Sequence, residues 1–152
     1  MSVEIDQRLR PLPALLDEVK GLIVGEMQGR MAAEGHPDIR PGHGCVFRFV
    51  DRERGSRLTE LAEASGLTKQ AVGEVVADLE RMGYLERVPD PEDGRAKIIR
   101  LTGRGRDGCD TAERLLAEIE RRWADQVGEE LLAGMRAAAE RILELEPARS
   151  AA

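Results

Sequence analysis

Apolar residues recur at spacings of three and four over long stretches near both ends of the chain, and over two short stretches between them. Leu12, Leu15, Leu16, Val19, Leu22, Ile23, Met27 and Met31 share one stripe, which predicts a helix from about Pro11 to Ala33. Pro11 and Pro13 stand where a helix can begin. The following EGHPDIRPGHG, with its prolines and glycines, reads as a loop. A shorter helix is expected near Pro41 to Arg52, carrying Val46, Phe47 and Val50, and DRERGS is a polar break. Two apolar-patterned segments come next, Thr59 to Ser65 and Thr68 to Met82, separated by a turn at Gly66. LERV and AKIIRL then flank PDPEDGR, a hairpin signal with an Asp-Gly pair. In AKIIRL the alternation is imperfect, because Lys97 shares the parity of Ile99 and Leu101. Thr102 suits an N-cap for a long helix bearing Leu115, Leu116, Ile119, Trp123 and Val127. Gly128 interrupts it before a last helix with Leu131, Leu132, Met135, Ala138, Ile142 and Leu145, and the closing ARSAA reads as a frayed tail.

This order predicts a mainly α protein with a small β-hairpin, organised as a single domain over residues 1–152. The outer helices (11–40 and 102–146) flank a helix–helix–hairpin centre (41–101). The outer stripes have no further element in the chain to cover them, and an uncovered apolar stripe seeks a partner helix. The simplest partner is the same stripe of a second copy across a two-fold axis, so a homodimer is expected.

Composition sharpens this picture. With 152 residues the chain can bury a core, and 34% charged residues against 3% aromatics favour helices with salt-bridged surfaces. No apolar run approaches the ~18 residues of a membrane span, and MSVEIDQRLRPLP lacks the pattern of a secretory signal. A cytoplasmic protein is therefore expected. The excess of arginine over lysine, with abundant alanine and glycine, suggests a GC-rich bacterial genome. The net charge of −6 argues at first against nucleic acid. Its distribution does not: residues 40–106 hold 13 Lys and Arg against 11 Asp and Glu, while the rest holds 10 against 18.

The segment beginning at Thr68 carries the most informative chemistry. Its predicted inner face is Val72, Val75, Val76 and Leu79, which leaves Lys69, Gln70, Gly73, Glu74 and Ala77 outside. A glycine on an outer helix face costs about 1 kcal/mol against alanine, which makes sense where another molecule must approach closely. Lys69 and Gln70 are donors suited to phosphate or to base edges, and Gln can pair bidentately with adenine. They sit at the helix end whose free N–H groups and dipole favour phosphate. The hairpin places Arg95 and Lys97 beside an exposed turn with Arg87 on the opposing strand. An arginine at such a tip can enter a minor groove, with Asp90 or Asp93 expected to pair with it. A solvated hairpin on a small helical bundle is the plainer alternative.

The run LTELAEASGLTKQAVGEVVADLERMGYLERVPDPEDGRAKIIRLTGRG resembles the winged helix-turn-helix core of the MarR family of bacterial regulators. The matching parts are ELA…GLT, DLERMGYLER, DPEDGRAK and the LTGRG that opens the next helix. The resemblance implies a winged helix-turn-helix core flanked by long N- and C-terminal dimerisation helices. It implies that the Thr68 to Met82 helix enters the major groove and that the hairpin around Gly94 and Arg95 is the wing. It further implies a pseudo-palindromic double-stranded DNA operator, repression, and release by a small aromatic or phenolic effector. The expected DNA-binding residues are Thr68, Lys69, Gln70, Gly73, Arg87, Arg95 and Lys97. Glu74 departs from the pattern, since it would repel phosphate unless it accepts from a cytosine amino group or faces solvent.

Other constellations are weaker. His36, His43 and Cys45 lie within ten residues but do not have the spacing of a closed metal site. Cys45 or Cys109 would sense oxidants only if its thiolate were stabilised and exposed. Trp123, Met27 and Met31 suit either a ligand pocket or a core or dimer interface. No Gly-rich phosphate loop, nucleophile elbow or paired-His motif is present, so neither enzyme nor cofactor is expected. A winged-helix protein-interaction module without DNA binding is the competing reading, motivated by the acidic total and Glu74.

Overall fold

A computed structural model describes residues 10–146; the ARSAA segment lies outside them. The element order is α1 (Leu12–Ala33), a 3-10 turn (Pro41–His43), α2 (Gly44–Phe47), α3 (Leu58–Ser65), α4 (Lys69–Arg81), β1 (Leu85–Pro89), β2 (Lys97–Leu101), α5 (Gly103–Val127) and α6 (Glu129–Leu145). The strands pair antiparallel, with Leu85 opposite Leu101 and Arg87 opposite Ile99. The architecture is a mainly α winged helix-turn-helix with long helices at both ends.

Local chemistry accounts for the boundaries. Thr68 caps α4 by accepting from the Ala71 N–H at 3.1 Å, and Thr102 caps α5 by accepting from the Gly105 N–H at 3.1 Å. Gly66 ends α3 at φ 69°, a left-handed turn that glycine adopts without steric cost. The helix expected over Pro41 to Arg52 is shorter, ending at Phe47. Asp51 stops any continuation: its carboxylate accepts from the Glu53 and Arg54 N–H groups at 3.0 and 2.9 Å, which folds DRERGS into a turn.

One core holds the centre together. Val46, Leu61, Val72, Val76 and Leu79 pack with Tyr84, Leu85, Ile99, Leu101 and Cys109, all buried. The imperfect alternation of β2 has a physical reason. Ile98, Ile99 and Leu101 are all buried, because the segment before α3 crosses the strand: Ser56 and Ile99 exchange backbone hydrogen bonds at 2.8 Å. That approach brings Gly55 against Ile98. A single bridging residue has no periodicity, so nothing in the sequence pattern announced it.

Outside the core, α1 docks on α5 through polar groups as well as apolar ones. Arg122 grips Glu26 bidentately at 2.9 and 2.6 Å, Arg30 pairs with Glu118, and Arg114 pairs with Glu34 and Glu118. Glu26 and Glu118 are held below the usual carboxylate range, chiefly by the hydrogen bonds from Arg122 and Arg30 respectively. The apolar stripes of the terminal helices stay open. α6 buries no residue within the chain. Leu131, Met135, Ile142 and Leu143 of α6 and Leu12, Leu16 and Leu22 of α1 are exposed.

Candidate nucleic-acid interface

The face of α4 opposite the core begins with Thr68, Lys69 and Gln70, all exposed, and continues through Glu74 and Ala77, also exposed. Val72, Val76 and Leu79 are fully buried and Val75 half-buried, so the division into inner and outer faces is as the periodicity indicates. Gly73 is half-buried. A methyl group at this position would meet one neighbour, Leu58 Cδ2, at an ordinary 3.8 Å. The chain's own packing therefore does not require glycine here. Glu74 lies within weak hydrogen-bond reach of Gln70, at 3.5 Å from its amide nitrogen. Leu67, 45% exposed at the head of α4, is an apolar surface residue that the sequence reading passed over.

The hairpin follows α4 and packs against it through β1. Its turn is closed by the Ala96 N–H to Asp93 O and the Asp90 N–H to Ala96 O, at 2.9 and 3.0 Å. Gly94 does not take a positive φ, so the Asp-Gly pair is not used for a left-handed turn. Arg95 and Lys97 are exposed, and among the described residues no carboxylate lies within ion-pair distance of Lys69, Arg95 or Lys97. Arg87 is different: its Nε donates to Glu80 of α4 at 3.0 Å.

The expected pairing of Arg95 with Asp90 or Asp93 is not what the structure shows. Asp93 accepts from the backbone N–H of Arg95 at 3.1 Å and does not pair with its guanidinium. Asp90 is buried and committed to Arg57, which donates from Nε at 2.8 Å and from Nη2 at 2.5 Å. The Glu92 N–H and then Arg57 hold the Asp90 carboxyl below its ordinary range, and Asp90 raises Arg57 in turn. This pair fixes the root of the wing to the start of α3. Thirty-three positions separate the two residues, and no local signal links them.

The histidines and cysteines are used structurally. His36 Nε2 lies 2.8 Å from Asp107 and its Nδ1 lies 3.1 Å from the Tyr84 hydroxyl; His43 joins Arg40 to Asp78. Cys45 donates to Gly42 O at 3.1 Å. Burial pushes both the Cys45 and Cys109 thiols up, the opposite of what a reactive thiolate needs.

A cavity of about 560 Å³ lies between α1, the Ile39–Arg48 segment and α5. Met27 and Met31 line it with Phe47 and Leu116, and Arg40 and Arg48 are among its other lining residues. Trp123, for which a pocket and a core or dimer interface were alternatives, does not line it. Arg52 at its edge is held by Asp110 and Glu113 at 3.1 and 2.5 Å.

A short helix pair joined by a tight turn, an outward second helix and a hairpin at its side define a winged helix-turn-helix protein. Residues 38–96 match the MarR family. Over 69 residues, 45% of this chain, it is 32% identical to the transcriptional regulator HosA of Escherichia coli O111:H-, and the match spans about half (51%) of that relative. Across nearly the whole chain the fold is similar to the repressor CouR solved on a 23-mer DNA duplex. The TM-score is 0.74 and the identity 21%, with 93% of this chain and 99% of that one covered. It is also similar to CouR of Rhodococcus jostii RHA1 bound to p-coumaroyl-CoA, with TM-score 0.70, 22% identity, and 95% and 99% covered. The match to the MarR family thus falls on residues 38–96, and the fold of these winged-helix repressors extends over most of the chain.

Proposed function

We propose that this protein is a sequence-specific double-stranded DNA-binding transcriptional regulator, a repressor that binds a pseudo-palindromic operator as a homodimer and is released by a small molecule. The observation that carries the reading is the exposed start of α4 (Thr68, Lys69, Gln70) together with a hairpin whose Arg95 and Lys97 have no ion pair among the described residues. Cations already neutralised by carboxylates would have little to gain from phosphate; these have no carboxylate partner among the described residues. Thr68, Lys69, Gln70 and Gly73 belong to the major-groove contact in this reading, and Arg95 and Lys97 to the wing. Arg87 takes part only by leaving Glu80. Residues 1–152 act as one domain, with 41–101 reading DNA and the terminal helices pairing two copies. The apolar faces of α1 and α6, bare within one chain, support that pairing. Two copies place two α4 helices at a fixed distance, which is what a palindromic site demands.

The cavity supports the effector. Its walls are mostly apolar, and Arg40 and Arg48 suit an anionic end, so a small aromatic or phenolic acid fits its chemistry. Its position behind the α2 segment, which packs on α4, gives a ligand a route to the reading head. The protein is read as a binding protein without catalysis, working in the bacterial cytoplasm where its operator lies. No helix of the described residues is long and apolar enough to cross a membrane.

The test is selection of bound fragments from the source genome, followed by titration of the recovered operator over a salt series. Log affinity should fall linearly with log salt, with a slope of about −0.9 for each phosphate neutralised. Absence of binding to any fragment at low salt would instead favour the protein-interaction module.

A further inference from the structure

The 3-10 turn Pro41–His43 has two sides. On one, Arg40, Pro41 and Gly44 form part of the cavity wall. On the other, the His43 ring, buried, faces α4: its Nε2 lies 2.9 Å from the Asp78 carboxylate, and its Nδ1 lies 2.9 Å from the Arg40 backbone nitrogen. The backbone nitrogen is a donor, so Nδ1 carries no hydrogen and accepts; the single ring proton is then on Nε2 and goes to Asp78. Both ring nitrogens are spent in bridging the cavity wall to the reading helix.

We propose that His43, neutral and protonated on Nε2, is a positioning residue that clamps the cavity wall to α4 and so sets the reading helix in its DNA-binding position. This rests on the reading of α4 as the DNA-contacting helix. A second proton has one place to go, Nδ1, where it would point at the Arg40 N–H from 2.9 Å. Two donors cannot share that gap. The bond to Arg40 breaks and the turn opens at its first residue, so the cavity wall at Arg40 is uncoupled from the His43–Asp78 contact that reaches α4. A ligand that displaces Arg40 or Pro41 from the cavity side acts on the same bond.

The charged groups about the ring are Asp78 and, through it, Arg81 on α4, with Arg40 on its own turn. Within α2 the one titratable group is the Cys45 thiol, which is bonded to Gly42 O. Burial and then Arg40 hold the His43 imidazole below its ordinary range, which is the direction a neutral clamp needs. The transition therefore falls on the acid side of pH 6.5.

The proton is itself the probe, and the chain has only two histidines, so the controls are complete. Operator affinity is measured from pH 7.5 to 5 for wild type, His43→Gln, His43→Asn and His36→Gln. Hydrogen-exchange protection of Arg40 and α4 is measured in the free protein over the same range, corrected for intrinsic rates. Gln keeps a donor toward Asp78 and Asn keeps an acceptor toward Arg40, and neither titrates. Wild type should lose affinity about five- to tenfold with acid, the lower range of coupling between sites, and lose protection at Arg40 and α4 together. The two His43 variants should bind more weakly than wild type at pH 7.5 and show no acid response, while His36→Gln keeps the wild-type slope. Wild-type affinity and acid response in both His43 variants would overturn the clamp. So would DNA binding and protection that are flat with pH in wild type, with the DNA reading left standing. Acid-sensitive protection in wild type that His43→Gln abolishes, with no DNA bound at any pH, would sink the DNA reading and leave the clamp in place.

Discussion

Arg57 and Asp90 join the first residue before α3 to the base of the wing by a two-pronged ion pair in which the carboxylate is 5% exposed. The hairpin is thus held against the helix-turn-helix by more than its own ladder. Asp90→Asn keeps the size and removes the charge that Arg57 faces. The expected result is faster hydrogen exchange across Leu85–Leu101 and weaker operator binding, with α1 and α5 unaffected. The sign with pH follows from the depressed carboxyl: its contribution is present above the ordinary carboxylate range and is lost as pH falls through the folded-state value. Exchange in the hairpin should therefore rise in acid in wild type and be insensitive there in the variant. A hairpin equally protected in both proteins would refute this role.

Two glycines should respond oppositely to alanine. A Cβ at Gly105 would lie 2.1 Å from the carbonyl oxygen of Tyr84 and 3.0 Å from Leu101 Cδ2, so the start of α5 would have to move off the core. Gly105→Ala is expected to destabilise by about 1–3 kcal/mol, as overpacking does. At Gly73 the same methyl has room, and helix propensity favours it by about 1 kcal/mol. Gly73→Ala should raise the melting temperature of the free protein and still weaken operator binding. A stabilised variant with undiminished affinity would show that no partner approaches that face.

These cases mark what could be read in advance and what could not. The caps at Thr68 and Thr102, the inner face of α4 and the two strands were legible because each depends on neighbours within a few positions. The LTGRG motif was legible as a pattern, but the reason for its second glycine is a contact with Tyr84, visible only once the chain is folded. The partner of Asp90 was misjudged because Arg95 is close in sequence while Arg57 is close in space. His36 and His43, weighed as metal ligands, are instead held by Asp107 and Asp78, which lie 71 and 35 positions away. Periodicity reports faces; it does not report which polar groups meet across them.

Tyr84 illustrates the same long-range logic. Its ring is fully buried, its hydroxyl lies 3.1 Å from His36 Nδ1, and Arg104 stacks 4.6 Å above its centroid. With Nε2 of His36 donating to Asp107, Nδ1 is an acceptor that the tyrosine hydroxyl satisfies. Tyr84→Phe leaves that acceptor unpaired in a site where His36 is 2% exposed. A loss of about 1–3 kcal/mol in denaturant unfolding is expected, the cost of a buried polar group without its partner. Unchanged stability would mean that water replaces the hydroxyl there.

Arg95 separates groove reading from simple charge. It is exposed at the hairpin tip, with its backbone fixed by Asp93 and its guanidinium unpaired among the described residues. If it reads a minor groove, Arg95→Ala should cost about 1–3 kcal/mol in operator affinity and relax preference at the outer positions of the site. The salt slope should shrink by about 1 as well, since one cation leaves the interface. Arg95→Lys divides the two effects. Lysine restores the charge and therefore the slope, but its compact ammonium does not reproduce the planar guanidinium. Recovery of the slope without recovery of sequence preference would establish the wing as a reader. Full recovery of both by lysine would reduce Arg95 to a phosphate contact, and sequence discrimination would then rest on α4 alone.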